Sequence, residues 1–202
     1  QDYTDIIARS VKVNAGLWAN DLKVTAGAGT VDAAHEKVVG KTGDDKTRPQ
    51  LAVDVASLGG MYAGKIRLTG TEAGVGVRNA GNIGAQAGTV VVTADGRIDN
   101  SGTLSGNDVG LNARSIANRG VIDGTQPHID TGTLSNQGTG RIYGDHLAIK
   151  ASTLDNGAEN GVAATLAARE RLDIAAGTLN NTGHGLIHSA GAMTISGGEL
   201  TN

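Results

Sequence analysis

The sequence predicts an all-β chain wound as a parallel β-helix, each coil of about 20 residues stacked on the one before it. Two repeated phrases and an unusual composition predict it. The first phrase is an aliphatic residue, any residue, then Asn. It occurs seven times, at Val77/Asn79, Ile98/Asn100, Ile116/Asn118, Leu134/Asn136, Leu154/Asn156, Leu179/Asn181 and Leu200/Asn202. In five copies a Gly follows two residues after the Asn, as Gly81, Gly102, Gly120, Gly138 and Gly183. The second phrase alternates aliphatic and variable residues and ends small. It reads Val90/Val92/Ala94, Val109/Leu111/Ala113, Leu147/Ile149/Ala151 and Leu172/Ile174/Ala176, with Met193/Ile195/Gly197 a looser copy. The composition is rich in Gly (32 residues), poor in Pro (2) and has no Phe. Val, Ile, Leu and Ala suit a narrow interior, and Gly at fixed offsets means turns.

Alternation with period two is a strand signal, because successive side chains point to opposite faces. No period has room for the crossover of a dozen or more residues that an ordinary parallel sheet needs. The chain must coil, so that each strand pairs with its equivalent one coil later. Equivalent Asn residues then stack, and Asn79, Asn100, Asn118, Asn136, Asn156, Asn181 and Asn202 are expected to form a structural ladder of side-chain amides. The Asn-x-Gly phrases supply the corners, where both residue types tolerate positive φ.

Taken in order, Val11/Val13/Ala15 and Leu22/Val24/Ala26 are the first strands. Residues 28–50 break the pattern and read as an excursion from the coil, a hairpin of Thr30–Val31 and Val38–Val39 with a mobile tip. Its charged members Lys41, Asp44, Asp45, Lys46 and Arg48 are a candidate interaction loop. Strands resume at Leu51/Val53/Val55, and the regular repeats start near Val75. The chain therefore divides into residues 1–75 and a continuous repeat region, 76–202. Pro127 in Gln126-Pro127-His128 is expected to interrupt a coil, since it lacks the N–H of a ladder. Leu154 and Leu179 are 25 residues apart against 18 for Ile98 and Ile116, so a loop near Gly157–Gly161 is expected to absorb the excess.

The net charge is −3 and the charges are scattered, which argues against nucleic acid as a partner. There is no cysteine, hence no disulfide, thiolate metal site or Cys nucleophile. No apolar run approaches the roughly 18 residues of a membrane span, and no membrane insertion is expected. No signal peptide opens the chain at Gln1, and Asn202 falls within a repeat; an excised piece of a longer protein is expected.

Residues 58–66, Leu58-Gly59-Gly60-Met61-Tyr62-Ala63-Gly64-Lys65-Ile66, and 70–81, Gly70-Thr71-Glu72-Ala73-Gly74-Val75-Gly76-Val77-Arg78-Asn79-Ala80-Gly81, resemble the filamentous haemagglutinin family. These are large exoproteins of two-partner secretion and include the contact-dependent growth inhibition toxins. The opening Asp5-Ile6-Ile7-Ala8-Arg9-Ser10-Val11-Lys12-Val13-Asn14-Ala15 resembles the close of that family's secretion domain, whose bulk would lie upstream. From about Val77 the repeats resemble its haemagglutinin repeats. The resemblance implies a right-handed helix and export through an outer-membrane β-barrel transporter. It also implies a secreted, cell-surface location outside the outer membrane, with a target-cell surface as a possible further partner. A chain without cysteine suits passage through a barrel unfolded.

Enzymes also use this fold, with acidic residues clustered across neighbouring coils. Asp95 with Asp99, and Asp123 with Asp130, are close in sequence but do not recur in register, so no catalytic residue is assigned. His184 and His188 are four apart, at least about 13 Å along a strand, and only a turn at Gly185 would bring them together. His35, His128 and His146 have no partner pattern. Gly74-Val75-Gly76 lacks the context of a phosphate loop, and no calcium nonapeptide occurs. No metal or cofactor is assigned. Trp18, Tyr3, Tyr62 and Tyr143 are expected to cap or fill coils rather than bind sugars. The sequon Asn180-Asn181-Thr182 overlaps the ladder. The favoured reading is a structural stalk segment of an exported adhesin or growth-inhibition toxin, about ten coils and roughly 50 Å long at 4.8 Å per coil. A direct adhesion module acting through 28–50 and a polysaccharide-degrading enzyme are the alternatives.

Overall fold

The computed structural model describes residues 3–34, 37–40 and 45–202, and these form a parallel β-solenoid with no α-helix. Each coil has three faces, met in the same order along the chain. In the first coils they are Tyr3–Ala8, Val11–Val13 and Gly16–Trp18, and the next coil begins with Asp21–Ala26. Every strand of the main sheet lies parallel to its equivalent in the neighbouring coil.

Register follows the inward aliphatics. The first face stacks Ile6, Val24, Leu68, Val92, Leu111, Ile129, Ile149, Ile174 and Ile195. The second stacks Val11, Val53, Val77, Ile98, Ile116, Leu134, Leu154, Leu179 and Leu200. The third stacks Leu17, Met61, Ile83, Leu104, Ile122, Ile142, Leu166 and Ile187. A one-residue slip would turn each of these outward, so the buried face enforces register. The core is one continuous column of Val, Ile, Leu and Ala, with Met61 its largest exception.

The rungs number nine, not the ten expected from length. The reason is the excursion, which consumes a coil's worth of chain without adding a rung. After Asp21–Ala26 the chain leaves the coil, pairs Thr30–Val31 antiparallel with Val38–Gly40, and returns at Leu51–Val55. The expected tip lies largely outside the described residues, Lys41 and Asp44 included. The returning arm is tied down. Arg9 Nη1 donates to Thr47 Oγ1 at 2.7 Å, and Arg48 Nη1 to the Ala73 carbonyl at 2.8 Å. Arg9 also pairs with Glu72 at 2.9 Å.

Of two further expectations, one is corrected and one sharpened. Pro127 does not interrupt a coil. It lies inside the strand Val121–Gln137, in register with Val109, and is buried at a position where other coils carry Val or Leu. Its ring leans over Gly144, where a Cβ would stand 2.6 Å from Pro127 Cδ. The extra residues after Leu154 are absorbed near Gly157–Gly161, as expected. They form a β-hairpin, Ala158 paired with Ala163 and Glu159 with Val162, closed by Asn160 and Gly161 at φ of 52° and 77°. Positive φ at both central positions is the two-residue turn whose twist matches a hairpin.

Candidate functional site: an amide ladder, paired surface charges and an aromatic stack

The second face ends at an inward corner, and the Asn residues fill it. Asn79, Asn100, Asn118, Asn136 and Asn156 are at most 1% exposed. Each donates from Nδ2 to Oδ1 of the next: Asn79 to Asn100 at 2.9 Å, Asn100 to Asn118 at 2.8 Å, Asn118 to Asn136 at 2.9 Å and Asn136 to Asn156 at 2.8 Å. The series continues to Asn181 at 2.8 Å and Asn202 at 2.7 Å. The second Nδ2 proton has a backbone carbonyl, for example Thr103 from Asn79 at 3.0 Å and Gly120 from Asn118 at 3.1 Å. At the start, Asn79 Oδ1 accepts from the Gly81 amide at 3.2 Å. Amide orientation is thus fixed throughout, and every Nδ2 of the buried members is used.

The first coils lack this device. The positions below Asn79 are Val55 and Val13. Outside them runs a column of alternating charge instead: Lys12, Asp54, Arg78 and Asp99 in successive rungs. Arg78 grips Asp54 with two bonds, 2.9 and 2.8 Å. That hydrogen bonding holds the Asp54 carboxyl below its ordinary range despite partial burial.

The corner glycines serve a purpose other than the expected one. Gly81, Gly102 and Gly120 do not have positive φ. A Cβ at Gly81 would overlap the carbonyl oxygen of Gly59, one at Gly102 that of Gly81, and one at Gly120 that of Gly102. The requirement is close approach between coils. Of the five corner glycines, only those in the longer corners, Gly138 (57°) and Gly183 (59°), have the expected positive φ.

Of the four acids that lie close in sequence, Asp95, Asp99 and Asp123 are engaged by arginines. Asp95 is bound by Arg114 at 2.9 Å and Asp99 by Arg97 at 3.7 Å. Arg169 bridges Asp123 and Asp145 at 3.0 and 3.1 Å, across three coils. That cluster is half-exposed, and the two acids share one arginine. His184 sits in a turn at φ 65°, and no group of three metal-binding side chains occurs among the described residues. No described helix is long and apolar enough to cross a membrane. The expected role of the aromatics fails at one place. Trp18 points outward, is 75% exposed and stacks on Tyr62, with ring centroids 4.4 Å apart and planes at 25°.

With this geometry in hand, the comparisons are specific. Residues 1–100 match the TPS secretion domain. The first half of the chain belongs to the two-partner secretion exoprotein family. Relatives include Toxin CdiA of Yersinia pestis, 64% identical over 104 residues, or 52% of this chain and 3% of the relative. The tRNA nuclease CdiA-2 of Burkholderia pseudomallei is 43% identical over 103 residues, 50% of this chain and 3% of its own length. Toxin CdiA of Escherichia coli is 46% identical over 97 residues, 48% of this chain and again 3% of the relative. The chain therefore spans only a few per cent of these relatives. No solved structure matches it. The TPS match covers the first coils, the excursion, the aromatic stack and the first two ladder residues, Asn79 and Asn100.

Proposed function

We propose that this chain is a structural segment of a CdiA-type exoprotein, in which the end of the secretion domain passes without a joint into the rod that carries the rest of the molecule outward. One observation supports the reading above all. The strands of residues 1–100 and those beyond share a single parallel sheet, and the ladder begun at Asn79 inside the matched region continues to Asn202 outside it. Nothing in the backbone marks a hinge between them. Nine rungs at about 4.8 Å give a rod section of roughly 40 Å. The role is mechanical: aliphatic, Asn and Gly residues build coils, and Asp95, Asp99, Asp123 and Asp145 are held by arginines rather than poised for proton transfer.

The proposed partner is the outer-membrane β-barrel transporter of two-partner secretion, and the proposed location is the cell surface. The names of the relatives describe toxins and nucleases, and no such activity is proposed for this segment. Urea unfolding followed by two probes tests the single-rod reading. Trp18, the sole tryptophan, reports on the first half, and far-ultraviolet circular dichroism reports on all strands. Coincident transitions are expected. Two separated transitions would break the rod into independent domains and sink the reading.

A further inference from the structure

The first three coils carry two features, on either side of one corner, that a scaffold does not use. The first is the Trp18–Tyr62 stack on the third face. Its outward direction is set by strand alternation, because Leu17 turns inward against Met61 and Trp18 must turn out. The glycines two residues before each ring make room for it. A Cβ at Gly60 would stand 2.6 Å from the Tyr62 ring, and one at Gly16 2.9 Å from Trp18 Nε1. The rings therefore lie flat along the sheet as a platform. The second feature is cationic. Around the corner, Lys23 and Arg67 occupy successive rungs of one outward column, and Lys65 stands in the next. Lys37, on the hairpin arm, faces the same cleft of about 650 Å³.

Like charges in register cost free energy. Asp5 stands opposite Lys23, Asp21 opposite Lys65, and the Asp32 carboxylate accepts from the Lys37 amide at 3.2 Å, so Arg67 alone of the four has no acid opposite it. Arg67 is also exceptional. The other nine arginines each hold a carboxylate or a backbone carbonyl. Arg67 makes no hydrogen bond or ion pair among the described residues. A guanidinium, two ammonium groups and a ring platform are held by one rigid corner, where the Gly64 amide donates to the Asn20 carbonyl at 2.8 Å and the Ala19 amide to that of Tyr62 at 3.0 Å. Little ordering is needed before binding.

We propose that this corner binds an acidic oligosaccharide, a sugar chain bearing ring carboxylates. The apolar face of one sugar stacks on Trp18–Tyr62, and carboxylates of the next meet Arg67, Lys65 and Lys23. The platform alone would accept a neutral sugar and the cations alone any small anion; their adjacency selects a ligand with both properties. This site goes beyond the rod reading and does not depend on it. The 28–50 tip is not part of it.

Trp18 makes the test direct, since its fluorescence comes from the site itself. The whole chain is titrated with tetragalacturonate, and with the same tetramer as its neutral methyl ester. Saturable binding of the acid is expected, at least about tenfold tighter than the ester and weakened by 0.5 M salt. By calorimetry, Trp18→Ala should abolish binding, and Arg67→Gln with Lys65→Gln should weaken it about tenfold or more. All three side chains lie outside the core, so melting temperatures should hold; the acid–ester comparison needs no variant. Absent binding, equal affinity for acid and ester, or indifference to Trp18→Ala overturns the proposal. So does capture of the secretion transporter at Trp18 with no uronate bound.

Discussion

The first two coils and the seven that follow solve one problem in different ways. A stack of near-identical coils must fix its register, or neighbouring coils can slip. From Asn79 onward the answer is internal: a buried file of amides, each bonded above and below. In the early coils that corner is filled by Val13 and Val55, and the polar order moves outside, to Lys12, Asp54, Arg78 and Asp99. A buried amide that misses its partner pays a full desolvation penalty, whereas exposed ion pairs contribute little and are screened by salt. The early coils should therefore be the more sensitive to solvent, and the later ones the more sensitive to substitution.

The largest expected break in this contrast is Asn118→Ala. It leaves Asn136 Oδ1 without its donor and strips the Gly120 carbonyl, and should cost about 3 kcal/mol in urea-derived stability. A loss below a few tenths would mean that the amides are ornaments. Next is Gly102→Ala. Its Cβ would meet the backbone oxygen of Gly81, which cannot rotate away, and about 2 kcal/mol should be lost. The same change at Gly161 acts through φ alone, in open space, and should cost only about 1 kcal/mol. Equal effects at the two sites would refute the close-approach account of the corners. Val55→Asn would carry the ladder one rung lower. With Val13 beneath it and apolar burial lost, it should destabilise by about 1 kcal/mol; a gain would show that the ladder stops there for no energetic reason.

The smallest effect is pH dependence. Asp54, Glu159 and Asp173 are each held below the ordinary carboxylate range by hydrogen bonds from Arg78, Arg119 and Arg171. A lowered native pKa means that the contribution is complete above the unfolded pKa, near pH 4, and is lost as pH falls through the native value. The urea midpoint should thus be flat from pH 7 to about 5 and decline below it. Asp54→Asn should shallow that decline, more so at low salt. Unchanged acid sensitivity in the variant would remove the charge column as a register device.

The strands and the alternation could be read from local sequence, because period-two patterning is itself local. The seven-membered run from Asn79 to Asn202 stood out by spacing. Gly81, Gly102 and Gly120 were found but for the wrong reason: a clash with the coil below is invisible in the residue's own neighbourhood. Pro127 misled because its lost donor was weighed and its apolar ring was not. The aromatic stack was hidden by arithmetic. With a period near 20, Trp18 should meet residue 38 or so, but the excursion moves its partner to Tyr62. Only a known register could have joined them.

The amide file also has a direction. Every Nδ2 points toward the later coil and every Oδ1 toward the earlier one. The acceptor end is closed inside the rod: Asn79 Oδ1 takes the Gly81 amide, and Val55 and Val13 lie beneath it. The file can therefore be lengthened only at its donor end, by a coil that brings an amide oxygen. The ladder works like a thread cut in one sense, and a new coil can enter it from one side alone.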